Sequence, residues 1–394
     1  FFLATVRHYC VHRRLPGIET NLSRSFFSLG LLVTMSEEEE TFEEEEDAGV
    51  PQMEQDQPEE GDQPEEGGEE ERPEGEEGEE QEGEEKIPEN PLTQEMLPEC
   101  LSILSKTGEG LAHAYVRLDV HERELTNINI LKSYIHLRFV DLSKNNLKDI
   151  SPLSALTRLL VLKADFNLLT SAKLDEMPFL QMASFSNNKI SSTEGCNHPM
   201  LEHLNLNNNE IKHVTGLDPV KLSRLHTLEL RGNKLETSAG IYLPNLKNLF
   251  LAANTLKQLE GLQRLTKLTT LHLRENQLEK LDGFSEDIQN LQYINLRANN
   301  ISAVSEVEKL ACLPKLRALT LLENAIAEED EYRIDVLIVL PKLERLDKDE
   351  FTEDERNESK ELAVTRAEEK RMAQQADGEK QKVEEVDSES GSSG

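Results

Sequence analysis

One phrase, L-x-x-L-x-L-x-x-N-x-L, recurs nine times between residues 137 and 326 of this 394-residue chain, and no other feature constrains the fold so tightly. The asparagines that close the phrase are Asn145, Asn167, Asn188, Asn209, Asn233, Asn254, Asn276, Asn299 and Asn324, separated by 22, 21, 21, 24, 21, 22, 23 and 25 residues. Self-similarity at a short fixed period points to stacked copies of one small unit.

The unit beginning at Leu201 shows why the phrase works. Leu204 and Leu206 alternate with the period of two of a short strand and point inward, while His203, Asn205 and Asn207 point out. Leu201, Ile211 and Val214 fill the space behind the strand. Asn209 stands where the chain turns away. Its amide both donates and accepts, so it can satisfy backbone groups that would cost about 1 to 3 kcal/mol each if buried unpaired. About six apolar side chains per unit, at about 1.5 to 3 kcal/mol apiece, are buried only once a neighbouring unit covers them. The expected fold is α/β, a leucine-rich-repeat solenoid with a curved parallel sheet on its concave face and short helical or irregular segments on its convex side.

Ends follow from where the phrase degrades. Tyr115, Leu118, Val120, Leu125 and Ile128 fit the register of a degenerate opening coil, with Arg123 in the asparagine position 22 residues before Asn145. Upstream, Thr93 can cap a helix carrying Met96, Cys100 and Ile103 on one side and ending near Gly108. Downstream, residues 331–347 read as a helix, a proline turn at Pro341 and a last half-coil. The solenoid is expected over 92–350. After it, Thr352-Glu-Asp-Glu355 spells a capping box, and a charged helix should run to about Gln381 before a disordered tail, 351–394 in all.

Composition separates the N-terminal portion. Residues 36–89 hold 28 Asp or Glu against Arg72 and Lys86, a net −26 of the chain's −34. Such a stretch buries too little to offset its ordering entropy, so 35–91 is expected to be a disordered acidic arm. Residues 1–34 carry four Arg and one Glu, and the acidic run follows Met35 at once. That favours Met35 as the start, with read-through upstream of it, over a targeting extension. The apolar stretch from Phe26 to Val33 is too short to span a bilayer. The four cysteines, Cys10, Cys100, Cys196 and Cys312, form no pair motif, and the lack of cysteine-rich flanks points to a reducing, intracellular compartment. The acidic balance argues against nucleic acid as a partner.

Chemistry is sparse. No phosphate-binding glycine loop, nucleophile elbow, H-E-x-x-H or Cys/His metal spacing occurs, and His203, His213, His226 and His272 fall at different places in the coil. Neither an enzyme nor a cofactor or small-molecule substrate is expected. Binding remains, and the register says where. Residues flanking the inward strand leucines form columns on the concave face about 5 Å apart. Coils five to eight bring Arg231, Phe250, His272, Arg274, Tyr293 and Arg297 together, the composition of interface hot spots, and suggest an acidic protein surface as ligand. The competing reading pairs these arginines with Glu229 and Glu275 along the sheet.

The 21- to 23-residue phrasing resembles the SDS22-like class of leucine-rich repeats, and residues 332–347 resemble the terminal cap of those proteins. Residues 106–116 (KTGEGLAHAYV), 133–138 (SYIHLR), 215–219 (TGLDP), 228–233 (LELRGN) and 343–348 (LERLDK) resemble, more narrowly, a leucine-rich-repeat family of the radial spokes of motile cilia and sperm flagella. The resemblance runs from about Met35 to Glu369. It implies a non-catalytic scaffold in the axoneme, helping to build a radial spoke, the third, and its head, with other spoke proteins as partners. The alternative within the class is a regulatory subunit docking a protein phosphatase, for which the concave aromatic surface is thin and Trp is absent. An RNA-particle role would need a basic surface.

Overall fold

The computed structural model describes residues 87–390 except Glu109 and Leu111, with side chains as far as Met372. The N-terminal extension, Cys10, the acidic arm up to residue 86 and the last four residues lie outside the described residues.

Thirteen strands form one open sheet in sequence order. They are β1 (Leu101–Lys106), β2 (His113–Asp119), β3 (Phe139–Asp141), β4 (Val161–Lys163), β5 (Met182–Ser184), β6 (His203–Asn205), β7 (Thr227–Glu229), β8 (Asn248–Phe250), β9 (Thr270–His272), β10 (Tyr293–Asn295), β11 (Ala318–Thr320), β12 (Arg345–Leu346) and β13 (Asp349–Glu350). Pairing is parallel from β2 through β12 and antiparallel at both ends. Each repeat supplies one three-residue strand and returns on the other side through irregular chain or a short 3₁₀ turn, as at Ser151–Ala155 and Leu262–Arg264. The longest interval, from Asn299 to Asn324, accommodates a true helical turn, α2 (Val304–Glu308), numbered after α1 (Leu97–Cys100). This is the leucine-rich-repeat solenoid that the spacing predicts.

The core is one continuous leucine column. Leu201, Leu204, Leu206 and Ile211 are fully buried, and so are their counterparts in adjacent coils. The nine asparagines run beside it, 3 to 8% exposed. Each ties its coil to the one before. Asn209 Oδ1 accepts the Ile190 N–H at 3.0 Å, and its Nδ2 donates to the Phe185 carbonyl at 2.9 Å and to its own coil's Leu206 carbonyl at 3.1 Å. Asn145 and Asn324 repeat the pattern at either end of the series. The residue before each asparagine has a positive φ, which swings the chain out of the strand; Lys144, Phe166 and Glu275 adopt it as Gly232 does.

The N-terminal cap differs from the expected helix. α1 is a single turn, its N-cap is Met96 without a side-chain bond, and Thr93 caps nothing through its hydroxyl. The chain then extends as β1, which pairs with β2 from Leu101↔Leu118 to Lys106↔His113. Leu-Ser-Ile-Leu-Ser-Lys alternates in burial with period two, so the segment seals the first coil as a hairpin. Tyr115, in register with the leucines, therefore lies on this hairpin and is 48% exposed. The ordered coil also begins earlier than residue 92. Asn90 Nδ2 donates to the Arg123 and Glu124 carbonyls, and Leu92 N–H to the Asn127 carbonyl at 2.8 Å. Asn90 does for the opening coil what Arg123, with no amide, cannot.

At the C-terminus α3 (Tyr332–Val339), the turn at Pro341 and β12 follow the expected order. The short return strand β13 is an addition. Asp347, with φ +59°, closes the sheet: its Oδ1 accepts the Leu321 and Leu322 N–H groups at 2.8 and 3.1 Å. In the preceding coil the equivalent Leu296 N–H donates to the Thr320 carbonyl. Tyr332 Oη donates to Asp347 Oδ2, and burial pushes the phenol pKa up. The capping box is realised reciprocally, with Thr352 N–H to Glu355 Oε2 at 2.7 Å and Glu355 N–H to Thr352 Oγ1 at 3.2 Å. Helix α4 (Glu353–Ser390) runs past Gln381, as its run of good helix formers allows.

Candidate protein-binding face

The expected columns correspond to the observed register. Tyr293 pairs with Thr270 and Ala318, and His272 with Phe250 and Asn295. Since neighbouring strands stand about 4.8 Å apart, side chains at one position must touch or stack. Phe250 and His272 do so, with ring centroids 4.7 Å apart and an interplanar angle of 21°. Tyr293, set diagonally one coil on, meets the His272 ring edge-on at 5.2 Å and 71°. All three rings are half-buried.

The arginines lie alongside, where the chain leaves the strands. Arg274 pairs with Glu275 at 2.8 Å, and Arg297 Nε donates to Glu323 Oε1 at 3.0 Å, holding the Glu323 carboxyl below its ordinary range. Glu229 is not an arginine partner. His203 Nε2 and Asn207 Nδ2 take its two oxygens at 2.6 Å each, so Arg231 is left exposed beside them, its backbone N–H on Asn207 Oδ1. One of the two anticipated pairings is thus formed and the other is pre-empted. Arg274 Nε is buried with no hydrogen-bond partner among the described residues. These ion pairs are half-exposed and hold the guanidinium groups weakly in place.

Elsewhere the thiols are quiet: Cys100 and Cys196 are buried, and burial pushes the Cys196 pKa up to about 12. Among the described residues no group of three or more His, Cys, Asp or Glu is placed to hold a metal, and no helix is long and apolar enough to cross a membrane. Sequence reasoning missed the ends of the ladder, Asn90 and Asp347, and a group of cations at the first coils. Arg138 and Arg158 beside the leading leucines were the available signal for that group.

A leucine-rich repeat family model matches residues 224–376. Leucine-rich repeat-containing protein 23 of Bos taurus is 54% identical over 272 residues, 69% of this chain and 80% of that protein. The protein of the same name from Xenopus tropicalis is 53% identical over 283 residues, 72% of this chain and 81% of that one. This chain belongs to the leucine-rich repeat-containing protein 23 family. Members of that family are named for the repeats that build the sheet described above, and such a sheet is a protein-binding scaffold. Among solved structures, an internalin, InlF, from Listeria monocytogenes is similar at 21% identity with a TM-score of 0.38, covering 58% of this chain and 79% of the internalin.

Proposed function

We propose that this chain is a non-catalytic scaffold of the ciliary or flagellar axoneme. It binds other radial-spoke proteins, spoke-head subunits above all, and helps assemble a radial spoke, the third, and its head, so supporting movement of the cilium or sperm tail. The binding half of this reading is carried by the Phe250–His272–Tyr293 stack flanked by Arg274 and Arg297. Rigid rings beside guanidinium groups are the composition that concentrates binding energy at protein interfaces. The ciliary half is supported by the resemblance of residues 106–116, 133–138 and 343–348 to the radial-spoke family.

The test is localisation and co-purification of the tagged full chain from ciliated or spermatogenic cells. The expected result is axonemal signal with spoke proteins in the pull-down. Diffuse or nuclear signal with a phosphatase catalytic subunit would replace this reading with that of a phosphatase regulator.

A further inference from the structure

Where the N-terminal hairpin meets the first coils, cations gather that pair with no carboxylate among the described residues. A shallow depression with room for little more than one water molecule lies there, lined by Ser105, Lys106, Val116, His136, Arg138 and Arg158; among the described residues no carboxylate lines it. Lys106 ends β1. Arg138 directly precedes β3, and its backbone is held from both sides: its N–H donates to the Val116 carbonyl at 2.7 Å, and its carbonyl accepts the Leu160 and Val161 N–H groups. His136 and Arg158 each directly precede a fully buried leucine, Leu137 and Leu159, so they occupy equivalent places in adjacent coils, about 5 Å apart. Backbone positions are therefore fixed while Arg138 and Arg158 project into solvent. Among the described residues no ion pair engages Lys106, Arg138 or Arg158.

We propose that the cationic rim of this depression binds a phosphorylated serine or threonine side chain of a partner polypeptide. Three permanent positive charges and an imidazole suit a group carrying about −1.5 to −2 charges and three acceptor oxygens. A single carboxylate would balance only one of them. Two guanidinium forks can each take a phosphate bidentately, which is the usual physics of phospho-motif capture. Nucleic acid fits less well, because the only ring lining the depression is the His136 imidazole. On a chain of net charge −34, attraction beyond the Debye length of about 8 Å is absent, so recognition rests on one localised group. The site is separate from the aromatic stack of coils six to eight and does not depend on the role proposed for it.

The test is an NMR titration of the full chain, observing backbone amide signals as well as arginine Nε–Hε signals. The probes are a short peptide with one phosphoserine, its glutamate and unmodified serine counterparts, and a twelve-nucleotide single-stranded RNA. Saturable shifts are expected with the phosphopeptide at least about tenfold tighter than with the glutamate peptide. They should be lost in Arg138→Gln/Arg158→Gln, whose thermal unfolding stays unchanged, and kept in Arg274→Glu/Arg297→Glu. Equal affinity for the glutamate peptide, tighter binding of RNA, no shift at several millimolar, or phosphopeptide binding that survives the Arg138/Arg158 variant would each overturn the proposal.

Discussion

The asparagine side chain is where this fold is decided at the scale of single residues. Asn233 Oδ1 accepts the Ile211 N–H at 3.1 Å while its Nδ2 donates to the Leu206 and Leu230 carbonyls, all in a region without water access. Asn233→Ala leaves these groups unpaired and is expected to lower stability by about 1 to 3 kcal/mol in urea unfolding; a change within about 0.5 kcal/mol would remove Asn233 from the ladder. His198 carries a second residue-scale prediction. It is 2% exposed, its Nδ1 accepts the Met177 N–H at 3.2 Å, and burial lowers its pKa to about 4. An unfolded imidazole titrates near 6.5, so the unfolded state binds more protons between those two values. The contribution of His198 is therefore constant above pH about 6.5 and shrinks as pH falls toward 4. Between about pH 7.5 and pH 5 the wild type should lose about 2 kcal/mol more than His198→Gln, and parallel curves would mean the ring is hydrated.

Among the elements, α4 is the one attached by side chains rather than by the repeat. Arg333 Nε donates to Glu355 Oε1 at 2.8 Å, Arg356 Nη2 donates to the Leu343 carbonyl at 2.9 Å, and Arg366 bridges Asp335 and Glu331. Phe351 sits beneath the Arg333 and Arg356 guanidinium groups, 4.8 and 5.6 Å from its ring centre. The Arg333 bond, with the Thr352 cap, holds the Glu355 pKa down at about 2. That tie is complete above the ordinary carboxylate range and is lost as pH falls from about 4.5 toward 2. Glu355→Ala should raise amide exchange over residues 353–366 about tenfold while the leucine column stays protected. If exchange there is unchanged, Phe351 and Arg366 suffice to hold the helix. The capping box was legible in four letters because its bonds are local. The ties to α3 were not, since they join residues 22 to 35 positions apart.

For the molecule as a whole, the repeat made the sheet order, the register and the buried asparagines readable, because Leu204, Leu206 and Asn209 each have one stable place in a coil. The ends were less readable. Leu101–Lys106 carries apolar residues at spacings that suit either a helix or a strand, and only the partner strand β2 decides between them. Asp347 closes the sheet from a position where other coils hold ordinary sheet-face residues. The stack at Phe250, His272 and Tyr293 was visible as a set of columns, but the capture of Glu229 by His203 and Asn207 depends on side-chain reach. Reversing Arg274 and Arg297 to Glu breaks two half-exposed ion pairs worth at most about 1 kcal/mol each. Capture of spoke proteins should fall at least tenfold while the melting temperature moves only a few degrees; unaltered capture would assign binding to another face. The ladder also has a direction, since each of the nine repeat asparagines serves the coil before its own. A nascent chain leaving the ribosome N-terminus first therefore always trails one untied coil, which the next 21 to 25 residues lock in place. A message truncated at any coil boundary would yield a protein with the same defect, one loose turn at its end, and only a product reaching Asp347 is sealed.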